Sequence, residues 1–224
     1  MIRAIIFDFD GLILETESPV YQSWHELYDQ FGMVLSKQEW SQIIGTSDAE
    51  HFDPLDELEV SLHQSLPRSE LLADRREREM ELIREQGILP GVEKWIDQAV
   101  TMGMRLGIAS SSSRDWVYSH LTRLGLIDHF EVIRTADDVE KTKPDPALYH
   151  QALDSLSISA NEAIVLEDSP NGVTAAKRAG IFTIAVPNPM TVELNLDHAD
   201  LQISSLEELD LQGAISYAEN RKTR

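Results

Sequence analysis

Two pairs of acidic residues stand at the ends of apolar runs in this sequence. Asp8 and Asp10 follow the run IRAIIF, and Glu167 and Asp168 follow the run AIVL. Burying a carboxylate without a partner is costly, so a strand that ends in such a pair either exposes it or holds a cation against it. Carboxylate oxygens are hard ligands that suit Mg²⁺, an ion that keeps several waters and commonly contacts a phosphate. The acids therefore predict a metal ion and phosphoryl chemistry.

A serine run and a lysine supply the groups that would receive the phosphate. Ser110 and Ser111 open a run of four serines just before a predicted helix. Backbone N–H groups at the start of a helix bind phosphate, and a serine hydroxyl adds to them. A serine in this place also caps a helix, and the two roles can coexist. Lys143, in the segment KPDP, offers a compact positive charge for phosphoryl oxygens and for the acids.

The surrounding pattern predicts the sheet that would position these residues. Short apolar runs alternate with helical patterns of about 10–15 residues, which is typical of crossover units and a parallel sheet. The predicted strands are 2–9, 104–109, 131–135, 163–167 and 181–186, with a weaker one at 199–203, and the predicted helices are 92–102, 113–124, 146–156, 171–179 and 205–219. After the first strand, residues 17–86 show helical spacing, divided by glycine and proline into about four helices.

The acids, the serines and the lysine all follow predicted strands. In an open parallel sheet, ligands bind outside the carboxyl ends of the strands, near the point where the strand order reverses. Four strand ends here carry complementary chemistry: two acid pairs, a run of hydroxyls and a lysine. We therefore expect all four to form one site at one edge of the sheet.

Composition and charge limit the classes of partner. The chain has 224 residues and a formal charge of −20, from 19 basic and 39 acidic residues. A field of this sign disfavours nucleic acid and anionic membranes, and it requires a locally positive pocket for a phosphorylated ligand. The chain contains no cysteine, so disulfides and thiolate metal sites are excluded. We see neither a signal-peptide pattern nor an apolar run of the roughly 20 residues that span a bilayer, so we expect a cytoplasmic protein.

Four motifs together resemble the haloacid dehalogenase-like hydrolase superfamily, and in particular its sugar-phosphatase and β-phosphoglucomutase branch. The motifs are DFDGLILETE, IASSSS, KPDPALY and LEDSPNGVTAAKRAG, in this order and spacing. The first motif alone is a weak signal, whereas four in order are specific. The resemblance implies an α/β fold. Residues 1–15 and 88–224 would form a Rossmann-like core with a parallel sheet, and residues 16–87 an inserted α-helical cap.

The resemblance also implies catalytic roles, position by position. Asp8 becomes the nucleophile that forms an aspartyl-phosphate, and Asp10 the general acid and base. Ser110 binds the transferring phosphoryl group, and Lys143 holds both the nucleophile and the phosphate. The residues expected to bind substrate are Ser110, Ser111 and Lys143. Elementary chemistry agrees, because a carboxylate nucleophile divides the hydrolysis of an ester into two easier steps.

A Mg²⁺ cofactor belongs to the same resemblance. Its expected ligands are Asp8 and Asp168, with Glu167 beside Asp168, and Asp10 would contribute its backbone carbonyl. The implied partner is a small phosphorylated metabolite, such as a sugar phosphate. No nucleic acid or membrane partner is expected, and the sequence leaves the oligomeric state open.

Departures from the family pattern favour a phosphatase over a phosphomutase. Glu15 stands where an aspartate is usual. The mutase branch carries a cap arginine after a glycine turn and a histidine in the first linker, whereas this chain has GTSD at 45–48 and TESPV at 16–20. Without those two residues a second phosphate is hard to hold. A phosphomutase of the β-phosphoglucomutase type stays the alternative.

A phospho-accepting signalling module of the receiver type is the alternative from another class. Such a module also has an acid pair, a hydroxyl and a lysine on a parallel sheet. It carries its phospho-accepting aspartate after the third strand, here near Asp137 and Asp138, in a much shorter chain. Because the helical insertion at 17–86 has no use in a receiver, we favour the enzyme.

Overall fold

The structure, a computed structural model, describes residues 1–38, Trp40 and 53–222. Within these residues a six-stranded parallel sheet forms the centre, in the order β3-β2-β1-β4-β5-β6. The strands are β1 (Ala4–Phe7), β2 (Arg105–Ala109), β3 (Val132–Arg134), β4 (Ala163–Glu167), β5 (Phe182–Ala185) and β6 (Leu201–Gln202). Each lies inside a predicted strand, so the predicted parallel α/β sheet is confirmed.

Eight α-helices have bounds within the described part of the chain, where residues 37–38 and Trp40 are helical too. They are α1 (Glu17–Gln30), α2 (Pro54–Leu62), α3 (Arg68–Arg84), α4 (Val92–Thr101), α5 (Arg114–Leu124), α6 (Ala147–Ser155), α7 (Pro170–Arg178) and α8 (Leu211–Lys222). Apolar residues of α4, α5 and α8 pack on one face of the sheet, and those of α6 and α7 pack on the other. None of these helices combines the length and the apolar character needed to cross a membrane.

The strand order reverses at β1, which pairs with β2 on one side and with β4 on the other. Both β1 and β4 are fully buried, which explains their continuous apolar runs. A reversal of this kind leaves a crevice at the carboxyl ends of the two central strands. Asp8 follows β1 directly and Asp168 follows β4, so the crevice receives both acid pairs.

Helices α1, α2 and α3 share an apolar cluster that includes Trp24, Leu55 and Leu58, and Met190 of the loop after β5 also belongs to it. We propose that these helices form the cap of residues 16–87. About four helices are predicted; α1, α2 and α3 have described bounds, and residues 37–38 and Trp40 are helical as well. The segment 45–48 lies outside the described residues. The chain enters and leaves the proposed cap at one place, because Leu14 and Ile88 form an antiparallel bridge.

The last helix differs from its prediction. The sequence pattern predicts 205–219, whereas α8 starts only after a turn. The turn is bound to α4 by Trp95, because the indole N–H of Trp95 donates to the carbonyl groups of Leu206 and Leu209 at 2.9 and 3.0 Å. Asp210 then accepts a hydrogen bond from a backbone N–H in the first turn of α8 and so sets the start of the helix.

Candidate active site

One cavity of about 210 Å³ lies at the carboxyl ends of β1, β2 and β4, beside the loop after β3. Its lining includes six of the predicted site residues, namely Asp8, Asp10, Ser110, Ser111, Lys143 and Asp168. The seventh, Glu167, is fully buried at the end of β4 and contacts Lys143. The structure therefore brings all seven together, although they come from four separate segments of the chain.

Lys143 is the positive charge inside this cluster. Its Nζ donates to Oδ1 of Asp8 at 2.6 Å and lies 2.7 Å from Oε1 of Glu167. Burial by itself would lower the pKa of the ammonium group, but the two carboxylates outweigh burial and raise the pKa. Lys143 therefore stays charged, and it orients the carboxylate of Asp8.

Glu167 anchors Lys143 from the side of the sheet. Its carboxylate accepts a short hydrogen bond from the hydroxyl of Tyr149 on α6, and a side chain in place of Gly172 on α7 would overlap it. Burial raises the pKa of Glu167 to about 7; the charge of Asp8 adds to this effect and Lys143 opposes it. The position of Glu167 is thus fixed by two helices as well as by its own strand.

Replacing Tyr149 with phenylalanine tests this anchor. We expect Tyr149→Phe to reduce the free energy of unfolding by about 1–3 kcal/mol, because a buried carboxylate loses its hydroxyl donor. Urea unfolding followed by circular dichroism measures the change. Tyr217→Phe, at an exposed position on α8, is the matched control and should change the free energy by less than about 0.5 kcal/mol. Equal stability of the two variants would contradict the anchoring role.

Asp168 is held by the loop after β5. The side-chain amide of Asn188 in that loop donates to Oδ2 of Asp168 at 2.7 Å and to the carbonyl group of Gly11 at 3.3 Å. Gly11 has a φ of 73°, and a Cβ atom there would overlap both the Asp168 carboxylate and the Asn188 amide. Because Gly11 has no side chain, the loop after β5 can bring Asn188 into contact with Asp168.

Three carboxylates form a group that could hold a metal ion. One oxygen each of Asp8, Glu167 and Asp168 lies within 4.8 Å of the others, and all three residues are buried. Lys143 alone does not balance this charge, since burial, followed by the charges of Asp8 and Glu167, raises the pKa of Asp168. A divalent cation would balance it, and hard oxygen donors of this kind fit Mg²⁺.

The carboxylate of Asp10 turns towards the serine run and α5 instead. Its Oδ2 accepts from the hydroxyl of Ser112 at 2.6 Å, and its Oδ1 accepts from the indole N–H of Trp116 at 2.8 Å. Burial raises the pKa of Asp10, against the effect of these two hydrogen bonds. A raised pKa suits a group that carries a proton. The expected metal contact of Asp10 through its backbone carbonyl stays a prediction.

The four serines divide between the cavity and the helix. Ser110 accepts from the N–H of Ser112 at 3.0 Å, and its own N–H donates to the carbonyl group of Arg134 at 2.9 Å. Ser113 caps α5 by accepting from a backbone N–H in the first turn. Ser110 and Ser111 line the cavity, so the capping role that a serine in this run could fill belongs to Ser113.

A second cavity, of about 330 Å³, extends from Asp10 towards the cap. Asp10 and Glu17 line both cavities, and Arg76 and Glu79 line the cap side of the second. Burial, followed by the charges of Asp10 and nearby acids, raises the pKa of Glu17 to about 8. The two cavities meet at the carboxylate of Asp10, so a molecule in the second cavity would contact this carboxylate and face the first cavity.

Sequence reasoning did not identify Glu17, Trp116, Tyr149 or Asn188 as parts of the site. Trp116 and Tyr149 have the spacing of ordinary core positions on helices, and nothing in the sequence around Asn188 indicates that its amide faces the site. One signal for Asn188 was available, because β5 neighbours β4 and their carboxyl ends share an edge of the sheet. Trp116 and Tyr149 depend on contacts between distant segments, whereas Glu17 follows Asp10 closely in the chain.

Comparison with known proteins gives a consistent result. A family model described as haloacid dehalogenase-like hydrolase matches residues 5–186. The protein YhcW of Bacillus subtilis (strain 168) is 44% identical over 211 residues, which cover 94% of this chain and 95% of that protein. A validoxylamine A 7'-phosphate phosphatase of Streptomyces hygroscopicus subsp. limoneus is 30% identical over 220 residues, which cover 93% and 96%. The crystal structure of CbbY from Rhodobacter sphaeroides in complex with phosphate is similar with a TM-score of 0.74 and 30% identity, covering 95% of this chain and 99% of that chain.

Proposed function

The chain belongs to the haloacid dehalogenase-like hydrolase family, and we propose that it is a phosphatase acting on a small phosphomonoester. The proposal includes Mg²⁺ as cofactor and an aspartyl-phosphate on Asp8 as intermediate. One observation carries it: Lys143 joins Asp8 to Glu167 beside a group of carboxylates that fits a metal ion. A relative named as a phosphatase and a related structure in complex with phosphate support the same chemistry.

The first step transfers the phosphoryl group to the protein. A carboxylate oxygen of Asp8 attacks the phosphorus, and the bond between phosphorus and the leaving oxygen breaks. Lys143 orients the carboxylate from 2.6 Å and offsets negative charge on the phosphoryl oxygens. Asp10 gives its proton to the leaving oxygen, so the first product departs as a neutral alcohol.

The second step returns the protein to its starting state. Water attacks the phosphorus of the aspartyl-phosphate, and Asp10 takes the proton from that water. The bond between phosphorus and Asp8 breaks, which restores the carboxylate and releases inorganic phosphate. Ser110 and Ser111, which line the cavity, bind the phosphoryl group during both steps. A positioned acid–base group of this kind contributes about 10²–10⁴ in rate.

The excess negative charge of the buried carboxylates is the reason to include Mg²⁺. Asp8 and Asp168, with Glu167 beside them and the backbone carbonyl of Asp10, would hold the ion. When bound, Mg²⁺ neutralises the charge that the acids and the phosphoryl oxygens bring together.

The second cavity indicates the kind of leaving group. It is lined mainly by polar side chains, among them Glu17, Arg76, Ser112 and Ser113. Hydroxyl groups of a substrate find hydrogen-bond partners there, and the volume of about 330 Å³ admits a small molecule. A small phosphorylated metabolite with several hydroxyls, such as a sugar phosphate, fits this lining.

A phosphomutase of the β-phosphoglucomutase type is the alternative. The preference for a phosphatase depends partly on the segment 45–48, which lies outside the described residues, so it stays a prediction. The receiver-type alternative is abandoned, because the family to which the chain belongs is one of hydrolases.

Phosphate release from a panel of small phosphomonoesters tests the proposal. We expect release with Mg²⁺, a loss of at least about 100-fold after chelation with EDTA, and recovery on adding Mg²⁺ back. Ca²⁺ in place of Mg²⁺ should inhibit, because it takes more ligands at longer distances. Full activity after exhaustive chelation would contradict the metal requirement. Isomerisation of a hexose 1-phosphate without release of phosphate would establish the mutase instead.

A further inference from the structure

We infer that Trp116 is a positioning residue for Asp10. We also infer that one face of α5, which carries Trp116, His120 and Arg123, connects Asp10 to the cap. The inference rests on the proposed role of Asp10 as proton donor and acceptor. The indole Nε1 of Trp116 lies 2.8 Å from Oδ1 of Asp10, within the ordinary range of an N–H···O hydrogen bond. Trp116 also lines the second cavity, where the leaving group would lie.

Hydrogen-bond chemistry distinguishes the two oxygens of Asp10. An indole N–H can only donate, so Oδ1 accepts from Trp116 in every protonation state that keeps this contact. Oδ2 faces the hydroxyls of Ser112 at 2.6 Å and of Ser110 at 3.4 Å, which can both donate and accept. The contact of Oδ1 with Trp116 therefore fixes the orientation of the carboxylate, with Oδ2 directed at the two hydroxyls.

Neighbouring side chains hold the indole in place. The ring of His120, one turn further along α5, meets it edge to face with 4.4 Å between centroids, and Arg76 of the cap lies over it at 5.4 Å. Burial, followed by the charges of Arg123 and Arg84, lowers the pKa of His120, so its ring is neutral. In that form its Nδ1 accepts from Nε of Arg123 at 3.4 Å.

Arg123 joins the same face of α5 to the end of the cap. Trp116, His120 and Arg123 are four and three residues apart, so they lie on one side of the helix. Nη1 of Arg123 donates to the carbonyl groups of Gln86 at 3.1 Å and Arg84 at 3.4 Å, where α3 ends and the chain returns to the core. A shift of the cap therefore acts on the indole both through Arg76 and through Arg123.

Trp116→Phe removes the donor and keeps an aromatic ring. Glycerol phosphate has a leaving oxygen that needs a proton, so we expect its kcat/KM, which reports the transfer to Asp8, to fall about tenfold or more. The leaving group of p-nitrophenyl phosphate departs without protonation, so its kcat/KM should change by less than about threefold. Because the second step uses Asp10 for both esters, kcat/KM rather than kcat separates them. The loss on glycerol phosphate divided by the loss on p-nitrophenyl phosphate distinguishes the two roles, because a purely structural residue would affect both esters equally. Asp10→Asn should show the same selective loss in kcat/KM, together with a loss of kcat on both esters, because Asp10 also serves as the base of the second step.

Two further variants complete the test. Tyr118→Phe, at an exposed position on α5, is the matched control and should leave both rates unchanged. Arg123→Met keeps Trp116 but unties α5 from the end of the cap, and we expect a smaller selective loss of about threefold. If wild type hydrolyses both esters and Trp116→Phe loses both equally or neither, the positioning role is wrong and the phosphatase proposal stands. An unselective Arg123→Met would overturn the tie to the cap, and a wild type that releases phosphate from no ester of the panel would overturn the phosphatase itself.

Discussion

Asp8→Asn is expected to lose at least about 10⁴ in kcat, or about 5.4 kcal/mol of transition-state stabilisation. Asparagine has nearly the shape of aspartate, but its amide cannot accept the phosphoryl group to form the proposed intermediate. Phosphate release from a sugar phosphate and from p-nitrophenyl phosphate, at saturating substrate, measures the loss. Both substrates should be affected alike, because both need the nucleophile whatever their leaving group.

The fold should survive this change, which makes the kinetic result interpretable. Asp8 is buried, but Lys143 keeps its contact with Glu167 at 2.7 Å when the Asp8 charge is removed. The substitution also removes one negative charge from the cluster of Asp8, Glu167 and Asp168, whose charge Lys143 alone does not balance. Asp97→Asn, at an exposed position on α4, is the matched control and should retain full activity. Equal activity of Asp8→Asn and wild type would overturn the nucleophile assignment.

The sheet could be predicted because burial leaves a direct pattern in the sequence. Parallel strands covered on both faces are continuous apolar runs, and β1 and β4 are the clearest cases. The start of α8 could not be predicted in this way. The apolar residues Leu206 and Leu209 continue a helical spacing, whereas in the structure their carbonyl groups accept from Trp95, which lies more than a hundred positions away in the chain.

The candidate site was predictable where its residues end strands. Asp8, Asp168 and Lys143 could be placed because each follows a predicted strand, and the carboxyl ends of parallel strands lie at one edge of the sheet. Trp116 could not be placed, since the acid that it contacts, Asp10, lies more than a hundred positions away in the chain. Asn188 contacts Asp168, about twenty positions away, and only its place after the strand beside β4 could have indicated this contact. Nothing within the local sequence of either residue records that partner.

Glu15, a departure from the family pattern, is another residue whose contacts the sequence does not show. The sequence marks it as a longer acid where an aspartate is usual. In the structure its Oε1 accepts from the N–H of Ser18 at 2.9 Å, so it binds the first turn of α1. Glu15 therefore lies where the chain enters the proposed cap, and its side chain supports the first cap helix.

Lys143→Met should give the second large loss, and it should affect stability as well as rate. Methionine preserves length and bulk but leaves the buried carboxylates of Asp8 and Glu167 without a cation, which costs about 3–5 kcal/mol. The rate should fall by about 10²–10³, the usual effect of removing one positioned donor. Urea unfolding in EDTA and phosphate release in Mg²⁺ measure the two effects. Lys141→Met, two residues earlier and exposed, is the matched control and should change neither.

Adding Mg²⁺ to Lys143→Met distinguishes the two contributions of Lys143, its charge and its orientation of Asp8. The ion and the lysine oppose the same negative charge, so Mg²⁺ should stabilise Lys143→Met more than it stabilises wild type. The rate should not recover with it, because the ion cannot take the place of Nζ, which contacts Asp8 at 2.6 Å and Glu167 at 2.7 Å. If Mg²⁺ alone restores the rate, Lys143 contributes charge rather than orientation. If Lys143→Met keeps its rate within about tenfold of wild type, the carboxylate of Asp8 does not depend on this lysine, and the observation on which the proposed function rests loses its force.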